Sequence, residues 1–154
     1  MKTPFAHSRN QGGAAAVELA MILPILLLFI FMPLFIGRFF WHYTAAQKAA
    51  QDAARYLSTI SAQEMREEAL AGQAAEVTRQ IALAEIEGLA PGRTSPEIII
   101  SCGPDPCSGL GGLALPETVS VTVRMRFFDI LGVVDTGRYG VPINATSIVR
   151  YVGN

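Results

Sequence analysis

Charge is scarce in this chain. Asp, Glu, Lys and Arg make up 16% of its 154 residues, and they balance to a formal net charge of −1. A nucleic-acid partner needs a basic face. The nearest approach to one is the pair Arg124 and Arg126, which reads as the solvated side of a strand. Histidine is scarcer still: His7 and His42 stand alone in sequence, so no metal or general-base constellation forms around them. Two cysteines, Cys102 and Cys107, fall short of the four ligands of a structural zinc site, and their spacing is not Cys-x-x-Cys. The run Gly109-Leu110-Gly111-Gly112 lacks the strand-to-helix context of a phosphate cradle and reads as a loop. No internal repeat or low-complexity tract is present. These absences leave no cofactor, small-molecule substrate or catalytic constellation to argue from, and the expectation is a protein that is not an enzyme.

What is abundant is apolar side chain, 51% of the total, and it is concentrated. Residues 19–36 hold no charge, and Phe39, Phe40 and Trp41 follow directly. A helix rises about 1.5 Å per residue, so roughly 20 apolar residues cross a hydrocarbon core of about 30 Å. Residues 14–36 suffice. Trp41 and Tyr43 stand where interfacial aromatics anchor a span, His42 is expected beside them at the interface, and Arg38 can snorkel to head groups. A cleaved secretory signal fits less well. The apolar run exceeds a normal h-region, and the residues after it are bulky where a cleavage site needs small ones. Lys2 and Arg9 precede the span, while Arg38, Lys48 and Arg55 follow it, so the positive-inside bias is slight. The simpler topology keeps the short N-terminal tail in the cytoplasm and the long C-terminal part outside.

One carboxylate interrupts the apolar segment. Glu18 follows Gly13-Ala14-Ala15-Ala16-Val17, and an ionised group in a membrane helix costs several kcal/mol unless paired. The bland explanation is that Glu18 lies one turn in from the interface and reaches water. The surrounding order says more. A basic leader ends in Gly12-Gly13, four small or apolar residues follow, then Glu18, then the long apolar run. This order resembles the type IV prepilin signal, which implies cleavage after Gly13, with Ala14 as the new N-terminus and Glu18 as the fifth residue of the mature chain. A glycine at the scissile position lets extended backbone enter a protease cleft. The α-amino group freed at Ala14 could then pair with the Glu18 of a neighbouring subunit, setting axial register as helices pack.

The resemblance extends further. Gly12 through Ala20, then Leu23-Pro24, Gly37-Arg38, Gln47, and Gln51-Asp52-Ala53-Ala54-Arg55-Tyr56 together are similar to the TadE-like proteins, minor pseudopilins of tight-adherence (Flp) pilus systems. The likeness covers roughly residues 9–57. Asn144 to Arg150 resembles the family's closing strand more loosely. The family commonly carries an aromatic residue after the glutamate, where this chain has Leu19. Membership implies processing by a membrane prepilin peptidase, a seat in the bacterial inner membrane, other pseudopilins and pilus platform proteins as partners, and a role in assembling an adhesive pilus.

Past the span, Ala46, Ala50, Ala53, Leu57 and Ile60 form one helical stripe, small enough to let another helix approach closely. Glu64, Glu67 and Glu68 then occupy positions the stripe needs. Ser61-Ala62-Gln63-Glu64 reads as a capping box, so a second helix is expected over residues 62–87. Its stripe would be Leu70, Ala74, Val77, Ile81 and Ala84, with Gly88 as C-cap. Pro24 and Pro33 should each bend the first helix. After a turn at residues 91–96 the period falls to two. Ile98 to Ile100 is a short apolar run, Val119, Val121, Val123, Met125 and Phe127 alternate with polar residues, and Ile143, Ala145, Ser147, Val149 and Tyr151 suggest a third strand. The sheet's apolar face should bury against the second helix. Outside the cytoplasm, Cys102 and Cys107 at close spacing read as a disulfide closing a small loop. Asn144-Ala145-Thr146 is formally a glycosylation sequon, but it falls in the third strand.

The resulting expectation is an α+β, pilin-like protein with a leader over residues 1–13 and a transmembrane helix over 14–43. Residues 44–154 would form an extracytoplasmic helical stalk and a head with an antiparallel sheet of about three strands. The working function is a minor pseudopilin. Its rivals are an uncleaved membrane scaffold of the pilus secretion machinery and, from another class, a membrane-tethered thiol–disulfide enzyme using Cys102 and Cys107.

Overall fold

The computed structural model describes residues 12–89, 95–107, 114–129, 132 and 134–153. The leader before Gly12, with His7, most of the turn at 91–96 and the glycine run at 109–112 lie outside the described residues.

Helix α1 runs unbroken from Gly12 to Thr59, with Pro24 and Pro33 inside it. Neither proline ends the helix, although each leaves the carbonyl one turn earlier (Ala20 and Phe29) without its usual donor. From Gly13 to Leu34 no side chain is buried; from Ala46 to Leu57 the helix becomes core. One helix thus serves two solvents. Its lower half can meet lipid, and its upper half meets protein.

α1 stops at Thr59, and the capping box forms as the sequence implies. The Ser61 hydroxyl accepts from the Glu64 amide at 3.2 Å, and the Glu64 carboxylate accepts from the Ser61 amide at 2.9 Å. The second helix is not continuous, however. α2 spans Ala62–Arg66, the chain is extended at Glu67, and α3 spans Glu68–Ile86. The break has a phase argument behind it. Met65 and Ala71 are both buried, yet six residues of unbroken helix would set them roughly 120° apart. Extending the chain at Glu67 resets the phase and lets both face inward. The buried stripe of α3 is Ala71, Ala74, Thr78, Ala82 and Ile86, rotated from the expected one. Val77 and Ala84 are exposed. Buried Thr78 does not read as apolar in sequence; its hydroxyl is satisfied by donating to the Ala74 carbonyl at 2.7 Å. Gly88 is not a left-handed cap either. It sits inside a 3-10 turn, Glu87–Leu89, that carries Leu89 back into the core.

Among the described residues four antiparallel strands follow: β1 (Glu97–Cys102), β2 (Asp105–Pro106), β3 (Thr118–Phe127) and β4 (Val141–Arg150), in spatial order β2-β1-β3-β4. The three expected strands are present, and the two-residue β2 is the addition. Cys102 and Cys107 are joined by a disulfide across that hairpin. The alternation of β3 appears directly in its burial, with Val119, Val121, Val123, Met125 and Phe127 inward. Register aligns Val121 with Ser147 and Met125 with Ile143, so both strands turn the same face in.

The sheet's cover differs from expectation. The upper half of α1, and not α3, lies across β3 and β4; α3 packs against α1 and reaches the sheet mainly at β1. Alanines explain the order of layers. Ala46, Ala49, Ala50, Ala53 and Ala54 are all fully buried, which makes α1 thin on two sides at once. Helix axes can then close to about 8 Å, the lower end of the usual range. The bulk of the core comes from Leu57 of α1 itself and from the partners, chiefly Phe127, Met65, Ile86 and Ile143. At the sheet edge away from α1, Ile98 and Ile100 are only half-buried.

Candidate functional site

Gly13, Ala14 and Glu18 lie in the first two turns of α1, and Ala14 and Glu18 are exposed. The Gly13–Ala14 bond is helical, so the extended backbone that a protease cleft needs requires the first turn to unwind. Glycine makes that step small, because each helical glycine is about 1 kcal/mol less favourable than alanine. A β-carbon added at Gly13 would meet no atom within 4 Å, so no packing in the structure demands the glycine there. Glu18 is one turn beyond Ala14 on the same helix face, a spacing at which an amine and a carboxylate are neighbours.

Among the described residues, α1 is the helix long and apolar enough to cross a membrane, with its most apolar window entirely exposed. The chain is thus consistent with a single-pass membrane protein. At the upper end of the apolar run the exposed side chains are Phe40, Trp41 and Tyr43.

The other face of this junction carries what sequence reasoning missed. Phe127, the last residue of β3, is fully buried against α1. Its ring meets those of Phe35, Phe39 and His42 edge-on, at 5.7, 5.6 and 5.0 Å between centroids. Positions 35, 39 and 42 fall on one helical face, and that spacing was the available signal. His42 is not interfacial but 5% exposed. Its Nδ1 lies 2.8 Å from the Arg38 carbonyl and its Nε2 3.1 Å from the Leu89 carbonyl. Carbonyls only accept, so a neutral ring donates to one of them and a doubly protonated ring donates to both. Through Leu89 the imidazole ties the 3-10 turn to α1.

At the far end, the Val152 amide donates to the Ser58 carbonyl at 3.1 Å, and the Tyr151 hydroxyl to the Ile60 carbonyl at 2.9 Å. β3 therefore descends antiparallel to α1, from the level of Ser58 to the level of Phe35 and Phe39. Head and helix are clamped at both ends.

The disulfide is the remaining feature singled out in sequence. Both cysteines are buried, and the Cys102 sulfur lies 3.5 Å from the Met65 sulfur. With both thiols consumed in the disulfide, this is a packing contact and not a hydrogen bond. It pins α2 beneath the hairpin. Arg124 faces Glu97 on the solvent side at 3.7 Å, and Arg126 donates to the Tyr139 carbonyl at 2.9 Å. Among the described residues, no three His, Cys, Asp or Glu side chains gather as a metal site would require.

Comparison with known proteins places one segment. The family model described as TadE-like protein matches residues 13–55, the apolar span and the alanine-rich half of α1. No curated protein and no solved structure matches the chain.

Proposed function

We propose, from the premise that residues 13–55 are those of a TadE-like protein, that this chain is a minor pseudopilin taking part in the assembly of a tight-adherence (Flp-type) pilus. The premise suggests a protein associated with a Tad pilus. The observation that carries the finer role is the division of α1: its lower half is a naked apolar helix, and its upper half is the centre of the head. A subunit built this way can sit in a bilayer, and the same apolar surface can pack against other such helices once it leaves. Because the head is clamped to α1 at both ends, the position of the helix in an assembly dictates the position of the head. A carboxylate at Glu18 facing the amine of a neighbouring Ala14 would set that position axially, since an unpaired charge in low dielectric is strongly disfavoured.

In this reading the role is structural and no reaction is catalysed. A prepilin peptidase removes residues 1–13, membrane lipid holds α1 beforehand, and other pseudopilins and platform proteins receive it. The head lies on the periplasmic or outer side of a bacterial inner membrane. A second reading, an uncleaved scaffold of the secretion machinery, is favoured by the helical state of the Gly13–Ala14 bond.

N-terminal sequencing and intact mass decide between them, in cells with and without a prepilin peptidase. The pseudopilin reading expects a mature chain starting at Ala14 only when the peptidase is present. A chain that keeps its leader in both strains sinks it. Glu18→Ala should leave cleavage largely intact and abolish pilus incorporation, and an unchanged pilus would show that Glu18 carries no register information.

A further inference from the structure

The connection between β3 and β4 emerges at the lower end of the head. β3 descends along α1 to Phe127, whose ring touches Phe35 inside the apolar run. β4 starts again at the same end, with Pro142 and Ile143 beside Phe39, Phe40 and Tyr43, and passes Gln47, whose Nε2 reaches the Thr146 carbonyl at mid-height. If residues 14–36 of α1 cross a bilayer, the β3–β4 connection cannot be far above it. From Phe35 to His42 the helix rises only roughly 10 Å.

The described residues of this connection suit a membrane surface. Tyr139 is 71% exposed and Val134 is exposed as well. Tyrosine with an adjacent Arg138 is a pairing common at the level of lipid head groups. Three of its backbone groups have partners within the head. The Val134 amide donates to the Asp129 carboxylate at 2.9 Å, the Gly137 amide to the Asp135 carboxylate at 2.8 Å, and the Arg126 guanidinium to the Tyr139 carbonyl at 2.9 Å. Internal partners lower the penalty of moving backbone out of bulk water. Gly140 has φ +70°, and a β-carbon there would strike the Phe127 carbonyl at 2.8 Å and the Phe128 ring at 3.0 Å, so the return into β4 is tightly shaped. Beside it an open groove of about 330 Å³ is lined by Phe39, Phe40, Tyr43, Pro142, Ile143 and Asn144. This groove joins the aromatic belt of α1 to the start of β4. Asp129, Asp135 and Arg138 keep the connection among head groups and out of the hydrocarbon.

We infer that the membrane end of the head, Val134 and Tyr139 with the adjoining aromatic groove, rests in the phospholipid head-group layer of the bilayer that α1 crosses. The chain then holds lipid at two places, and the head stands on the membrane by its lower end in a fixed orientation before any assembly. This rests on the reading of α1 as a membrane span, and one native residue separates the two claims. Trp41 is the sole tryptophan, it belongs to α1, and it is exposed at the belt.

The test uses the full chain in phosphatidylcholine–phosphatidylglycerol liposomes containing lipid brominated near the head-group end of its acyl chains. Native Trp41 reports the span. In a Trp41→Phe background, Tyr139→Trp and Val134→Trp each report the connection. The inference expects bromolipid to quench both loop tryptophans to at least half the extent it quenches Trp41, with reduced access to aqueous acrylamide. Quenching of Trp41 alone, with both loop tryptophans open to acrylamide, overturns the inference and leaves the span intact. Shielding from acrylamide without bromolipid quenching also overturns it, because the cover is then another protein copy. An unquenched Trp41 overturns both claims together.

Discussion

Phe127→Leu tests whether the head and the apolar half of α1 are one body. Phe127 is 1% exposed, and three rings surround it edge-on: Phe35, Phe39 and His42. Leucine keeps an apolar side chain of similar size, so the packing change alone should cost under about 1.5 kcal/mol. Each edge-to-face pair lost adds about 0.5–1.5 kcal/mol beyond its buried area. Three such pairs sum to at least about 1.5 kcal/mol, and the ceiling is the loss of about 3–5 kcal/mol expected for Phe127→Ala, which removes the same pairs and also leaves a cavity. Urea denaturation of the full chain in a mild detergent, followed by near-ultraviolet dichroism, gives the stability of the head. A cycle with Phe39→Leu isolates the pair, and a coupling of about 0.5–1.5 kcal/mol is expected. A fully stable Phe127→Leu variant, together with coupling near zero, would refute the reasoning. It would mean that the lower end of β3 is not seated on α1, and the geometric link from helix position to head position would go with it.

Three further outcomes rest on particular contacts. His42→Phe keeps the ring contact with Phe127 but removes the ring nitrogen 3.1 Å from the Leu89 carbonyl, and it should destabilise the head by about 1–2 kcal/mol, with faster amide exchange in the Glu87–Leu89 turn; unchanged exchange there would argue that the imidazole ties nothing down. Replacing Cys102 and Cys107 together by alanine should cost about 2 kcal/mol in the chain-entropy account of so small a loop, and dithiothreitol should destabilise the native chain but not the variant. If that variant also supports adherence, the thiol–disulfide enzyme reading is discarded. The Ser61 hydroxyl, and then the Ser61 amide, hold the Glu64 carboxyl below the usual range, while Arg79 and then Gln80 pull Glu76 down to about 2. Carboxyls depressed in the folded state stabilise it above their unfolded value and lose that contribution as pH falls through the folded one. The midpoint difference between the native chain and a Glu64→Gln, Glu76→Gln double variant should therefore be full at neutral pH and close progressively from about pH 4.5 towards pH 2. A difference that does not change with pH would count against both hydrogen-bonded carboxylates.

Local rules were enough for much of this protein. An apolar run long enough to match the hydrocarbon core of a bilayer makes an exposed helix whatever residues come after it. Ser61 and Glu64 cap a helix because the four residues involved are contiguous. β3 shows its inward face in its own alternation, since period two is a property of a single strand. The matched family segment is legible for the same reason, because its features lie along one stretch of α1.

Tertiary structure decided whatever depends on phase between elements. An alanine-rich helix has a weak apolar stripe, so sequence could not tell that α1 would pack on both α3 and the sheet, nor that it would take β3 and β4 and leave α3 to β1. The extended residue at Glu67 exists because Met65 and Ala71 must face the same core, a demand visible only once that core is assembled. His42 read as interfacial from its neighbours; Phe127 and the Leu89 carbonyl, both distant in sequence, made it interior. The lower end of the head came to lie beside the apolar half of α1 in the same way. Local alternation sets how long β3 is, but only its antiparallel course along α1 determines which solvent its end will meet.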